Sequence, residues 1–297
     1  MTRLSRVLLI GLFALCADVL TAFCAQAQVD FTGVWRPQRD EDLPERGAGP
    51  SLVEFVGLPI NDYARKWGLA YRPGRLSLPE HQCQVHVVHY IYRGPLAVRM
   101  WEERDPVTHA LIALRHYIST YEQSRTIWMD GRPHPSPNAP HTWMGFSTGK
   151  WEGDMLTVTT THIKQGWLRR ENLPSSDEAT LVEHFIRHGN MLTHITITAD
   201  PNYLAEPLIK SKEFILDANP EDFVPFWPCE YIEEGQWERG TVPHYLPGEN
   251  PFVAEYAATH DLPQEATLGG AQTIYPEYRE RLKTLPIAVY PEPDQAR

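Results

Sequence analysis

After its opening stretch the sequence has no apolar run approaching the ~20 residues that cross a bilayer, so no membrane-spanning helix is expected in its main body. It has no G-x-S-x-G elbow, no glycine-rich phosphate loop and no dinucleotide fingerprint set between a strand and a helix. Serine-hydrolase, kinase and dehydrogenase chemistry therefore find no support. Basic charge is scarce: 27 Lys and Arg stand against 38 Asp and Glu, for a formal net charge of −11. An acidic surface of that size repels phosphate backbones and anionic lipid, which argues against nucleic acid as a partner. Adjacent carboxylates such as Glu102-Glu103 and Glu233-Glu234 are sent to opposite faces by a strand, so they read as solvated charges and not as an acid/base couple for glycoside cleavage. Nothing implies a redox cofactor, and cysteine is rare, with four residues in 297.

What is present begins at the N-terminus. Arg3 and Arg6 precede an apolar run from Val7 to Leu15, and a small-residue stretch ends at Ala25, Gln26 and Ala27. A signal peptidase reads this order, which predicts a leader over 1–27 and a mature protein in the periplasm or outside the cell. A lipoprotein reading through Cys24 is opposed by the bulk of Phe23. Losing the leader removes two cations and one anion, which takes the formal charge from −11 to −12. Cys16 and Cys24 leave with it. Cys83 and Cys229 remain in an oxidising compartment and are expected to pair, closing a loop of about 146 residues.

The mature chain opens on a short alternating strand, Val29 to Trp35, that stops before Pro37. Asn61 is placed to cap a short helix through Tyr63, Ala64, Lys66 and Trp67, closed by Gly68. From Val85 to Tyr231 the pattern alternates with period two, broken by turns about every ten residues. Strands are expected near 85–92, 97–102, 110–120, 125–129, 142–150, 155–162, 180–187, 191–198, 211–216 and 226–232, with hairpin loops at Glu152-Gly153-Asp154 and His188-Gly189-Asn190. Many short strands without long helices between them point to a mainly β protein, an antiparallel meander closed into a barrel or folded into a sandwich. Prolines then recur from Pro243 to Pro293. The expected division is a barrel domain over 28–239 and a wrapping tail over 240–297, with one helix at Tyr275 to Lys283.

The segment 125–135 reads RTIWMDGRPHP and 141–156 reads HTWMGFSTGKWEGDML. These resemble a large, largely uncharacterised group of secreted bacterial proteins with the pattern R-x-I-Y-x-D-G-R-P-H-P, then T-W-x-G-x-S-x-G-x-W-E-G-D-T-L. The resemblance runs from Asp30 to about Glu230 and implies a calycin, or lipocalin-like, barrel; it implies no particular function. Many relatives carry Pro-His-Ser where this chain has Pro174-Ser175-Ser176, so a site built on that histidine does not carry over.

Strand alternation nominates the reactive residues. His162 shares a face with Leu156 and Val158, and His184 shares one with Val182 and Ile186. If those apolar faces point inward, both histidines enter the barrel. His194 sits with Leu192 but opposite Ile195 and Ile197, a weaker third candidate. The loop from Asp130 to His141 is stiffened by Pro133, Pro135, Pro137 and Pro140, and so holds His134 and His141 at the mouth. The simpler reading of any one of these histidines is a ring satisfying buried backbone carbonyls. A metal reading of His86-x-x-His89 or His184-x-x-x-His188 fails on strand geometry, since odd offsets face opposite sides and the second pair straddles a turn.

Most of the nine tryptophans should be core. Trp143, Trp128 and Tyr117, with Arg169 and His194, are the candidates to line a ligand cavity. The function expected from these residues is cofactor-free acid/base catalysis, of lyase, hydratase or isomerase type, on a small organic molecule in the barrel. His162 and His184 would exchange the proton, and His134, His141 and Asp130 would close the mouth. The alternatives are a non-catalytic carrier of an apolar ligand and an envelope assembly subunit docking through its tail.

Overall fold

A computed structural model describes residues 29–38, 55–169, 173–219, 223, 229–232, 238 and 240–290. Among the described residues eleven strands run β1 Gly33–Pro37, β2 Val98–Arg104, β3 Leu111–Ile118, β4 Gln123–Trp128, β5 Phe146–Glu152, β6 Met155–Thr161, β7 Gly166–Arg169, β8 Leu173–Ser175, β9 Thr180–His188, β10 Met191–Ala199 and β11 Leu208–Leu216. Nine of them close a barrel in the order β1-β11-β10-β9-β6-β5-β4-β3-β2, while β7 and β8 form a separate hairpin between β6 and β9. The barrel is mainly an antiparallel meander, as the alternation predicts, and β1 closes it by pairing Trp35 with both Leu216 and Val98. One junction departs from the meander: β4 and β5 are parallel, with Ile127 opposite Ser147. Residues 129–145 must therefore carry the chain back along the barrel before β5 can begin, and this segment holds the proline-stiffened loop.

The expected strand over 85–92 is instead a short helix, α3 at Val88–Ile91, following α1 at Asp62–Leu69 and α2 at Pro79–Gln82. The reason lies in burial. Val87 through Tyr92 are all buried, without the half-exposed alternation a strand would show, and Val87, Val88, Tyr90, Ile91 and Tyr92 pack into one cluster with the inward faces of the barrel. Helix α1 forms as its cap predicts, with Asn61 Oδ1 accepting from the Ala64 N–H at 3.0 Å.

Beyond Gly240 the proline-rich tail folds more than expected. It contains α4 at Phe252–Thr259 and α5 at Pro276–Leu282, the second matching the predicted helix. Val253 and Leu268 join Phe55, Ile60, Ala64, Leu168 and Tyr203 in a second apolar cluster, which fastens the tail to α1 and the β7–β8 hairpin. Of the strand expected over 226–232, residues 226–228 lie outside the described residues, and 229–232 are not a strand. Cys83 and Cys229 are joined as a disulfide. Among the described residues no helix is long and apolar enough to cross a membrane.

Candidate functional site

The inward face of β9 is Leu181, Glu183 and Phe185, so His184 points outward with Val182 and Ile186. This corrects the expected placement. Apolar residues occupy both faces of β9, and hydrophobicity alone cannot choose between them. His184 Nδ1 lies 3.1 Å from Thr157 Oγ1 on the outer wall. His162 also lies outside the interior: it sits just past the end of β6 with φ +56°, a left-handed turn that takes its side chain off the strand's alternation. Of the strand histidines nominated, the one that enters the barrel is His194, whose inward neighbours Leu192, Thr196 and Thr198 are buried while Ile195 and Ile197 are only half-buried.

His194 belongs to a sealed polar network. Its Nε2 lies 2.9 Å from Glu183 Oε1. Arg125 on β4 clasps the same carboxylate, with Nη1 donating to Oε1 at 2.9 Å and Nη2 to Oε2. The remaining guanidinium hydrogens go to Ser147 Oγ, Thr160 Oγ1 and the Tyr92 hydroxyl, and Tyr92 in turn lies 2.7 Å from His116 Nδ1. Phe185 stacks on His194 with ring centres 4.4 Å apart. Burial pushes the Glu183 carboxyl up, but the Arg125 charge and the bonds from His194 and Arg125 outweigh it and hold it at about 2. Burial and then Arg125 depress His116 to about 3, while burial raises Tyr92 to about 12. Sequence reasoning missed Arg125, Glu183, Tyr92 and His116. The available signal was Arg125 sharing strand parity with Ile127, and Glu183 sharing it with Leu181 and Phe185.

Three of the nominated histidines meet elsewhere, on the outer wall where the 129–145 crossover lies against β5 and β6. Thr142 locks this segment down by donating its N–H to His162 O at 2.9 Å and accepting from the Lys164 N–H at 2.9 Å. Gly145, at φ +64°, makes the turn into β5; a Cβ there would fall 2.6 Å from both Thr160 Cγ2 and the Thr161 carbonyl, so no other residue fits without displacement. His134 spans two strands, with Nδ1 2.8 Å from Thr161 Oγ1 and Nε2 2.8 Å from Thr148 Oγ1. Thr161 Oγ1 is also 2.7 Å from His162 Nδ1, and His162 Nε2 is 2.8 Å from the Ser136 carbonyl.

The carbonyl fixes the direction of the whole chain. Ser136 O only accepts, so His162 Nε2 carries a hydrogen. With His162 neutral, its Nδ1 accepts the Thr161 hydroxyl hydrogen. Thr161 then accepts from His134 Nδ1–H, and His134 Nε2 accepts from Thr148. A proton entering at the Thr148 end can thus appear on His162 by reversing each bond in turn. Burial first, and then His162, lower the proton affinity of His134. His141 completes the group: its Nδ1 donates to the Ile163 carbonyl at 3.0 Å and its ring centre is 5.2 Å from that of His162. That bond leaves Nε2 as the basic nitrogen of a half-buried ring, without a protein partner among the described residues.

The remaining nominees scatter. Asp130 pairs with Arg132 and does not touch the histidines. Trp128 is covered by Arg132 and Arg115. Trp143 packs against the core beneath Lys164, and Arg169 is buried on β7. Tyr117 stands on the outer wall of β3, opposite Arg99 of β2. Among the described residues no three His, Cys, Asp or Glu side chains converge as a metal-holding group. Comparison with protein-family models, with curated proteins and with solved structures finds no match to this chain.

Proposed function

We propose that this is an exported barrel protein that performs cofactor-free acid/base chemistry on a small organic molecule, with His141 Nε2 as the general base on the outer wall. The observation that carries this reading is the tautomer lock on His141, whose Nδ1–H is committed to Ile163 O and whose Nε2 lone pair is left without a partner among the described residues. A base so held takes a proton from an acidic C–H of a bound molecule. It returns that proton to a neighbouring atom in an isomerisation, or to the leaving group in an elimination. His162 acts as a positioning residue, its ring fixed beside His141 by its bonds to Thr161 Oγ1 and the Ser136 carbonyl. The His134–Thr161 chain continues that contact to Thr148. Export is supported by the leader-like opening and by the disulfide, a bond of oxidising compartments. Membership of the secreted barrel group is part of the same proposal.

The test has two arms. Carbethoxylation by diethylpyrocarbonate, mapped by mass spectrometry, should mark His141 well before His134 and His162, whose nitrogens are occupied. Base-catalysed ring opening of 5-nitrobenzisoxazole, a general reporter of proton abstraction, should fall in His141→Gln to the level of buffer while the melting curve is unchanged. Faster marking of His134 or His162, or an unaltered rate in His141→Gln, would sink the assignment.

A further inference from the structure

On the outer wall, β2 and β3 present Arg99, Trp101 and Tyr117 side by side, with Arg99 and Tyr117 directly opposite in register. Phe223, from the segment after β11, meets Tyr117 edge-on with ring centres 5.7 Å apart and closes a cleft of about 590 Å³. That volume is in the range of roughly 300–1,000 Å³ typical of small-molecule sites, and the walls are aromatic.

The polar side chains lining this cleft can all donate, and the one carboxylate acting on them, Glu122 on Tyr117, makes no hydrogen bond there among the described residues. Neither the Arg99 guanidinium, nor the Tyr117 hydroxyl, nor the Trp101 indole N–H has a hydrogen-bond or ion-pair partner among the described residues. The neighbouring arginines differ: Arg104 is held by Glu102, Arg115 by Glu103 and Arg132 by Asp130. An unpaired cation beside exposed aromatic rings, on a chain of net charge −11, is a local reversal of sign. It selects an anion, and the aromatic walls select the body attached to it.

We infer that the cleft between β2, β3 and Phe223 is a ligand site for a flat aromatic carboxylate, its ring lying against Trp101 and Phe223 and its anionic group received by Arg99 and Tyr117. The site shares no residue with the histidine group, so it stands or falls independently of the acid/base reading.

Isothermal titration of the purified protein with 2-naphthoate, and with uncharged 2-naphthamide, decides it. Wild type should bind naphthoate at sub-millimolar Kd. Arg99→Gln should weaken naphthoate by about tenfold, the scale of one lost charged hydrogen bond, and leave naphthamide unchanged. Trp101→Ala should weaken both probes. Arg99 is exposed and unpartnered, so its variant should melt as wild type does; if it does not, Tyr117→Phe, which removes only the hydroxyl, makes the same comparison. The inference is overturned by no binding of naphthoate at millimolar concentration, or by equal affinities for the two probes. It is also overturned if naphthoate binding survives intact in Arg99→Gln and, where that variant's melt is altered, in Tyr117→Phe.

Discussion

Arg125 and Glu183 stand on strands that never pair, with β5 and β6 lying between β4 and β9 in the ladder, yet their side chains meet fork to fork in the interior. The contact ties together positions 58 residues apart across the barrel. Every hydrogen of the guanidinium's two terminal nitrogens that faces the network has a named acceptor, so the pair is satisfied as well as buried.

Glu183→Gln keeps the volume and strands a buried cation. It should cost about 3–5 kcal/mol in guanidinium-chloride unfolding. Arg125→Met combined with Glu183→Leu replaces both ends by apolar groups and should cost less than the single change. A double variant worse than Glu183→Gln would mean the charges themselves, and not the avoidance of an orphan, sustain the fold.

The buried histidines set an acid limit. His89 and His116 are both pushed down to about 3, chiefly by burial, and neither ring nitrogen of His89 makes a full hydrogen bond, with the Trp167 backbone beside it. Their folded values lie below the ordinary 6.5, so the unfolded chain binds more protons and stability falls as pH drops from about 6.5 toward 3. With both groups contributing, the slope approaches about 2.7 kcal/mol per pH unit. Glu183 adds a second loss only between its ordinary 4.5 and about 2. His89→Leu should lower the slope measured between pH 6 and pH 4 by chemical denaturation by up to about 1.4 kcal/mol per pH unit, one group's share; an unchanged slope would show that His89 takes no part.

Much of this was legible in the sequence. Period-two alternation placed β2 to β6 and β9 to β11, and the Asn61 cap and the disulfide partners could be read from residue type and the expected compartment. Which way each strand faced was less accessible. In β9 both parities carry apolar side chains, and the inward one carries Glu183, so the rule that charge faces water pointed the wrong way. A buried ion pair is two exceptions that excuse one another, and neither is visible alone. The grouping of His134, His141 and His162 depended on the parallel β4–β5 step, a long-range pairing that no local pattern encodes.

Gly145→Ala and Gly131→Ala make a matched pair. Both glycines have positive φ, +64° and +76°, but only Gly145 is crowded, by Thr160 and the Thr161 carbonyl. Gly131→Ala should cost about 1 kcal/mol, the strain of a left-handed residue. Gly145→Ala should cost at least about 2 kcal/mol and also alter carbethoxylation of His141, four residues away on the same segment. Equal costs would mean the crossover yields freely.

Replacing Cys83 and Cys229 by serine opens a loop of 146 residues. The chain-entropy estimate is a loss of about 4–5 kcal/mol, measurable as a shift in denaturation midpoint between the oxidised protein and the double variant. A loss well under 1 kcal/mol would show that the 83–229 loop is already confined in the unfolded chain.

The barrel is sealed by β1, the first strand made, held between β2 and β11, with Trp35 set against Leu216. No partial chain can complete that ring. Until the residue at 216 has emerged, β1 has only one flank to pair with, and an open sheet with two free edges persists for most of synthesis. The stitch that turns the sheet into a ring is therefore the last one tied.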